Sequence, residues 1–255
     1  MKTIRAFTLS VIGVSILSVT LLFTGCQKDE NPMDPGNDIN TTDMSSADRH
    51  GHSPVYPVNG RVFGKTYGEW GAEWWKWNFR FDCAHFPLDD ANGSLQNQGQ
   101  HGPVYFLSGG HFNQPVVRNV TIPHEKSIFF PVICYENDDT AGYAASGMSM
   151  RDYLTAGADG PIDGVDIATC TLDGVDLVSN PFDYRAHSPL FNFRGNIDLA
   201  SCFDNAITGQ PQPCVTDGYW FMLKPLSRGN HTLHFTGGIS GPGLAMDITY
   251  HITQR

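Results

Sequence analysis

Three groups of polar residues in this chain have the types and spacing that chemistry requires. His85 stands near Asp89 and Asp90, followed by Asn92-Gly93. Oxygen donors beside a glycine turn suit Ca²⁺, although the spacing fits no complete EF-hand loop. Glu136-Asn137-Asp138-Asp139 follows an apolar run that ends at Cys134, and acidic side chains at a strand end suit cation binding or general acid–base work. Arg118, Arg185 and His187 form the third group; guanidinium and imidazole groups together clamp a carboxylate such as that of an acidic sugar. Each group also has a plainer use: Asx-turns for the first, a solvated loop for the second, and a salt bridge to the chain's own carboxylates for the third. The expected metal ligands are therefore Asp89, Asp90, Glu136, Asp138 and Asp139, with Ca²⁺ as the ion, and Arg118, Arg185 and His187 are expected at a ligand.

No catalytic residue is assigned, because the familiar signatures fail. Gly238-Ile239-Ser240-Gly241-Pro242 breaks the nucleophile-elbow pattern at its last position. His124-Glu125 has Ile128 where a zinc-protease helix needs its second histidine. There is no phosphate loop and no dinucleotide fingerprint. His231 and His234 fall in an expected strand and so point to opposite faces.

The elements that must position these residues are mostly short strands. Tyr67, Trp70, Trp74, Trp77 and Phe81 recur at three and four, which predicts one amphipathic helix with that stripe in the core. Trp75 lies off the stripe and is expected to be exposed, a platform on which a sugar ring could stack. Residues 149–156 are a second possible helical piece. Strands are expected at 103–107, 116–122, 127–133, 219–223, 231–237 and 245–252, and Asp173-Gly174 between two β-branched runs predicts a hairpin. With many Gly and Pro between them, these predict an all-β fold, a jelly-roll-like β-sandwich with one appended Trp-rich helix.

The N-terminus bears on location. A basic start, an apolar run from Phe7 to Phe23 and then Thr24-Gly25-Cys26 have the layout of a secretory signal. The run resembles a bacterial lipoprotein signal, which implies acylation of Cys26 and a membrane anchor. Gln27-Lys28-Asp29-Glu30 resembles signals that send lipoproteins to the outer face of an outer membrane. The organisation expected is a signal peptide over residues 1–25, a flexible polar tether over 26–53 and one domain over 54–255. The net charge is −10, and losing Lys2 and Arg5 with the signal makes it more negative. Nucleic acid is therefore excluded as a partner. An oxidising compartment favours disulfides among Cys83, Cys134, Cys170, Cys202 and Cys214. Cys202 and Cys214 flank a polar loop and are the easiest pair to join.

Several blocks together resemble a known family: Tyr67-Gly68-Glu69-Trp70 with Trp74-Trp75-Lys76-Trp77, Gly102-Pro103-Val104-Tyr105-Phe106-Leu107, Phe129-Phe130-Pro131-Val132 and Asp217-Gly218-Tyr219-Trp220. The family is one of secreted bacterial proteins without an assigned activity, so the resemblance implies a secreted single domain and supplies no catalytic residue. The functional expectation is a lipid-anchored, non-catalytic envelope protein that binds carbohydrate or another envelope ligand. The alternatives are an extracellular polysaccharide-degrading enzyme, a hydrolase or lyase, and a structural envelope protein.

Overall fold

The longest strands of the chain are buried on both faces, and this decides the layering. In the computed structural model, which describes residues 53–255, β3 (Ser127–Asn137) and β7 (Gln212–Leu223) are antiparallel neighbours with few exposed positions. The signal peptide, Cys26 and all but the last residue of the tether lie outside the described residues. β1 (Val104–Phe106) and β6 (Phe191–Phe193) complete a four-stranded sheet in the order β1-β3-β7-β6. The second sheet is five-stranded. It runs β2 (Val116–Ile122), β9 (Leu244–Gln254), β8 (Gly229–Ile239), β4 (Ile167–Leu172), β5 (Val175–Asp176). The expected strands are all present, and the fold is a two-sheet β-sandwich with a small helical part. It is mixed rather than wholly antiparallel, since β1 runs parallel to β3 and β2 parallel to β9.

Alternation in the second sheet sends Val120, Ile122, Leu233, Phe235, Ile248, Tyr250 and Ile252 inward. There they meet Phe130, Val132, Tyr219 and Phe221 of the first sheet in the main core. The opposite face of the first sheet carries Phe129, Trp220 and Met222 and is covered by helix α1 (Tyr67–Asn78). A capping box between Thr66 and Glu69 starts that helix. Burial of the first sheet on both faces is why β3 reads as a continuous apolar run rather than an alternation.

Helix α1 is buried on two faces, not one. Besides the tryptophan stripe, Gly68, Gly71, Ala72 and Trp75 are all buried. A Cβ at Gly68 would stand 1.7 Å from the carbonyl oxygen of His187, so only glycine allows this approach. Three further helices lie between strands: α2 (Tyr143–Ser146), α3 (Met150–Asp163) and α4 (Leu199–Cys202). α3 extends well beyond the piece expected from sequence and packs against β3 and β7, burying Leu154 and Ala158 beside Val215. The disulfide joins Cys83 to Cys202, not Cys202 to Cys214. Cys214 is a buried free thiol on β7, directed at Glu136.

Candidate functional site

Among the described residues, one sheet face remains without a covering layer. The outward positions of the second sheet fall in rows set by strand register. One row is Asp176, Thr171, His234, Thr249 and Val117; the next is Thr232, His251 and Asn119; the last is Asn230, Thr253 and Thr121. The face is thus mainly a lattice of hydroxyl, amide and imidazole groups, with the carboxylates of Asp176 and Asp247 towards one side and Val117 its exposed large apolar side chain. β-branched threonine suits the strand backbone while presenting an oxygen to solvent.

At one end of this lattice the loop after Asp90 folds over β2 and makes a cleft of about 400 Å³. Its lining includes Ser94, Asn97, Asn119, Thr121, Asn230, Thr232, His251 and Thr253. Gly93 seats the loop. Its φ is +98°, and a Cβ there would fall 2.3 Å from the Asn119 carbonyl oxygen, while the Asn119 amide donates to the Asn92 carbonyl. Asp90 holds the loop shut by accepting from the amides of Asn92, Gly93 and Leu95 and from Gln96 Nε2. Burial raises the Asp90 pKa, but those donors outweigh it and the carboxyl stays below its usual range. Among the described residues, the side chains of Ser94, Asn119 and Thr121 make no hydrogen bond. His231 at the rim is raised in pKa: burial opposes this, but the hydrogen bonds it donates to the Asp173 carboxylate and the Ser227 carbonyl prevail. Its charge is matched by Asp173 at 2.7 Å. The cleft therefore offers unspent neutral donors and acceptors with little net charge.

A second constellation stands at the end of β3. Glu136 and Asp138 meet Asp204, with one oxygen from each within 4.8 Å of the others. Among the described residues no Lys, Arg or His pairs with any of them. Their neighbours are the Cys214 thiol, 3.5 Å from Glu136 Oε2, and Gln212, whose Nε2 donates to Asp138 Oδ2 at 2.7 Å. Burial, followed by the charges of Asp138 and Asp204, pushes Glu136 well above the carboxylate range. Burial and Asp204 push Asp138 up to about 7. Glu136 and Asp138 are therefore both held towards their protonated forms, and Asp138 lines a cavity of about 350 Å³. The sequence pointed to Glu136 and Asp138 as metal ligands, and the structure brings these two together. Asp204 comes from a distant loop with no local signal.

The other expected site residues are placed elsewhere. Asp139 is exposed and accepts from the Ala141 amide in an Asx-turn. Asp89 pairs with His111 at 2.5 Å, His85 pairs with Asp82 at 2.6 Å, and Asp90 is spent on the loop, so the structure does not gather the three around one point. Trp75 is 4% exposed, donates to Thr216 Oγ1 and packs on Phe79 and Phe203. It is a core residue and stacks no sugar. Arg118 points inward from β2 and is wholly buried, donating to the carbonyls of Leu88, Asp90, Ser108 and Gly109 and to the Tyr250 hydroxyl. It ties the loops at 88–90 and 108–109 to the sandwich and clamps no ligand. Arg185 binds Asp163 and Asp217, and His187 faces Asp159 and Asp217, so the carboxylates they meet are the chain's own. Compared with known proteins, the chain matches no family model, no curated protein and no solved structure.

Proposed function

We propose that this protein is a non-catalytic, lipid-anchored binding module of the bacterial cell envelope that takes a neutral, hydroxyl-rich ligand of the glycan class in the cleft between the 93–97 loop and the β2-β9-β8 face. The observation that carries this reading is the cleft's lining: amide, hydroxyl and imidazole groups, several with unused hydrogen-bonding capacity, held on regular strands and a hydrogen-bonded loop. Polar groups fixed on a rigid sheet bind without an ordering cost, and a polyhydroxyl ligand matches mixed donors and acceptors one for one. The acylated Cys26, the envelope location and the likeness to secreted bacterial proteins belong to the same proposal and rest on the sequence blocks given above.

The enzyme reading is weaker, for a geometric reason. Glycosidase carboxyl pairs stand about 5–5.5 Å apart in retaining enzymes and roughly 6.5–9.5 Å apart in inverting ones. The carboxyl oxygens of Glu136, Asp138 and Asp204 approach within 4.8 Å, and Glu136 is buried. Asp204 is within hydrogen-bonding reach of both Glu136 and Asp138, which suits a shared proton rather than a sugar between two acids. Thermal shift and NMR titration of the purified protein against neutral and acidic oligosaccharides test the proposal. A neutral glycan should raise the melting temperature by mass action, with shifts at Asn119, Thr121 and His251. The double substitution Asn119→Ala with His251→Ala should abolish the effect while the fold survives. Binding undiminished in that variant, or no binding by any glycan, overturns the assignment; shortened products would replace it with the enzyme reading.

A further inference from the structure

We infer that Asp159, His187 and Asp217 form a binding site for a divalent transition-metal ion of the zinc type. The three come from separate elements: α3, the extended segment that precedes β6, and β7. One ligand atom of each lies within 4.8 Å of the other two. His187 Nε2 is 2.7 Å from Asp159 Oδ1 and 3.4 Å from Asp217 Oδ2. Two ligand atoms on one tetrahedral zinc stand about 3.4 Å apart, a spacing that His187 and Asp217 already have and that Asp159 reaches by easing away from the imidazole.

The site is preorganised. The amides of Ala186 and Ser188 donate to the carbonyls of Gly218 and Thr216, which sets His187 directly across from Asp217. The His187 carbonyl is pressed against Gly68 of α1. Asp217 is wholly buried and accepts from the Gly218 amide.

Two rungs join α3 to β7 here. In one, Arg185 bridges Asp163 and Asp217 with a permanent cation. In the other, His187 stands between Asp159 and Asp217, and the Asp217 oxygen it meets, Oδ2, is shared with the Arg185 guanidinium, while Asp159 has the imidazole alone beside it. Asp159 Oδ1 is shielded from solvent and receives no hydrogen bond, because the imidazole is close but not aligned with it. An orphaned carboxylate oxygen in such a place is costly unless a cation meets it. Asp159, Asp163 and Asp217 against Arg185 leave two negative charges uncompensated while the imidazole is unprotonated, which matches a divalent ion. The imidazole selects the class: a mixed nitrogen and oxygen set suits zinc and its neighbours, whereas Ca²⁺ asks for six to eight oxygens. His187 is 45% exposed at its side chain, so an ion enters from solvent and keeps an open position for water or an external ligand.

Titration of tag-free, EDTA-treated protein with ZnCl₂ by calorimetry, and with Co²⁺ by visible absorption, tests this. The expected result is one ion per chain, a higher melting temperature with zinc, and cobalt bands of low-coordinate geometry. His187→Ala and Asp159→Asn should weaken zinc binding by roughly tenfold or more, while Asp163→Asn and Asp138→Asn keep it. His187→Lys separates the site from an ordinary ion pair. Lysine restores a cation between the two aspartates, so the variant should fold, confirmed by circular dichroism, yet lose zinc. No stoichiometric zinc, or zinc binding unchanged in His187→Lys, overturns the proposal and leaves His187 as an ion-pair partner.

Discussion

Asp138 shows how a single residue acquires a property that its type does not have. Its carboxyl lies under the 204–212 loop beside Glu136 and Asp204, and burial with the neighbouring charge holds its pKa near 7 instead of 3.8. The folded state therefore keeps a proton that the unfolded chain releases. Between these two values the native state binds more protons, so this group's stabilising contribution is full below about pH 4 and is lost as pH rises through about 7. Glu136, raised in the same direction, adds to the effect. Urea unfolding at pH 4.5 and at pH 7.5 should show Asp138→Asn gaining stability on the wild type as pH rises; a difference that is flat or opposite in slope would reject the buried carboxyl cluster. Arg118 is the reverse case. Its type suggested a ligand clamp, but its inward position on β2 spends the guanidinium on backbone carbonyls. A single sequence does not say which arginine points inward until the strand's register is known.

At the scale of elements, helix α1 was legible along its tryptophan stripe and illegible along its second face. Gly68, Gly71 and Ala72 carry no hydrophobic signal, yet their smallness lets β7 and the 186–188 segment approach, and that approach buries Trp75. Hydrophobic periodicity reports where large side chains are, not where backbones meet. The disulfide makes the same point. Cys202 and Cys214 are near in sequence, but β7 carries Cys214 into the core while α4 holds Cys202 beside Cys83, 119 residues away in the chain. A crosslink that closes so long a loop removes much unfolded-state entropy, roughly 4–5 kcal/mol in the loop-closure treatment. Cys83→Ser should thus lower the melting point substantially, and Cys214→Ser should not act through crosslinking at all. Peptide mapping after alkylation in denaturant without reductant should label Cys134, Cys170 and Cys214 and leave Cys83 joined to Cys202. A Cys202–Cys214 peptide would contradict the pairing.

For the whole molecule, charge and shape point to different partners. The chain carries a net charge of −10, but the polar cleft is close to neutral, its His231 balanced by Asp173. Long-range electrostatics therefore repels anionic surfaces without driving recognition in the cleft. Glycan affinity there should change less than about threefold between 50 mM and 500 mM salt, since short hydrogen bonds are screened far less than separated charges. A steep fall with salt would indicate an ionic ligand and a site elsewhere, with the acidic trio the first to examine.

The amino-acid order by itself determined the class of this protein: the alternating and continuous apolar runs specify strands, the Asp173-Gly174 hairpin and the capped tryptophan helix are local, and local patterns survive translation into structure. Only the tertiary structure decided which face stays open and which polar groups meet. The β2–β9 pairing brings Asn119 beside His251, and the return of a distant loop brings Asp204 to Asp138. These contacts join residues remote in the chain, and their formation depends on layer packing and strand register rather than on any local preference.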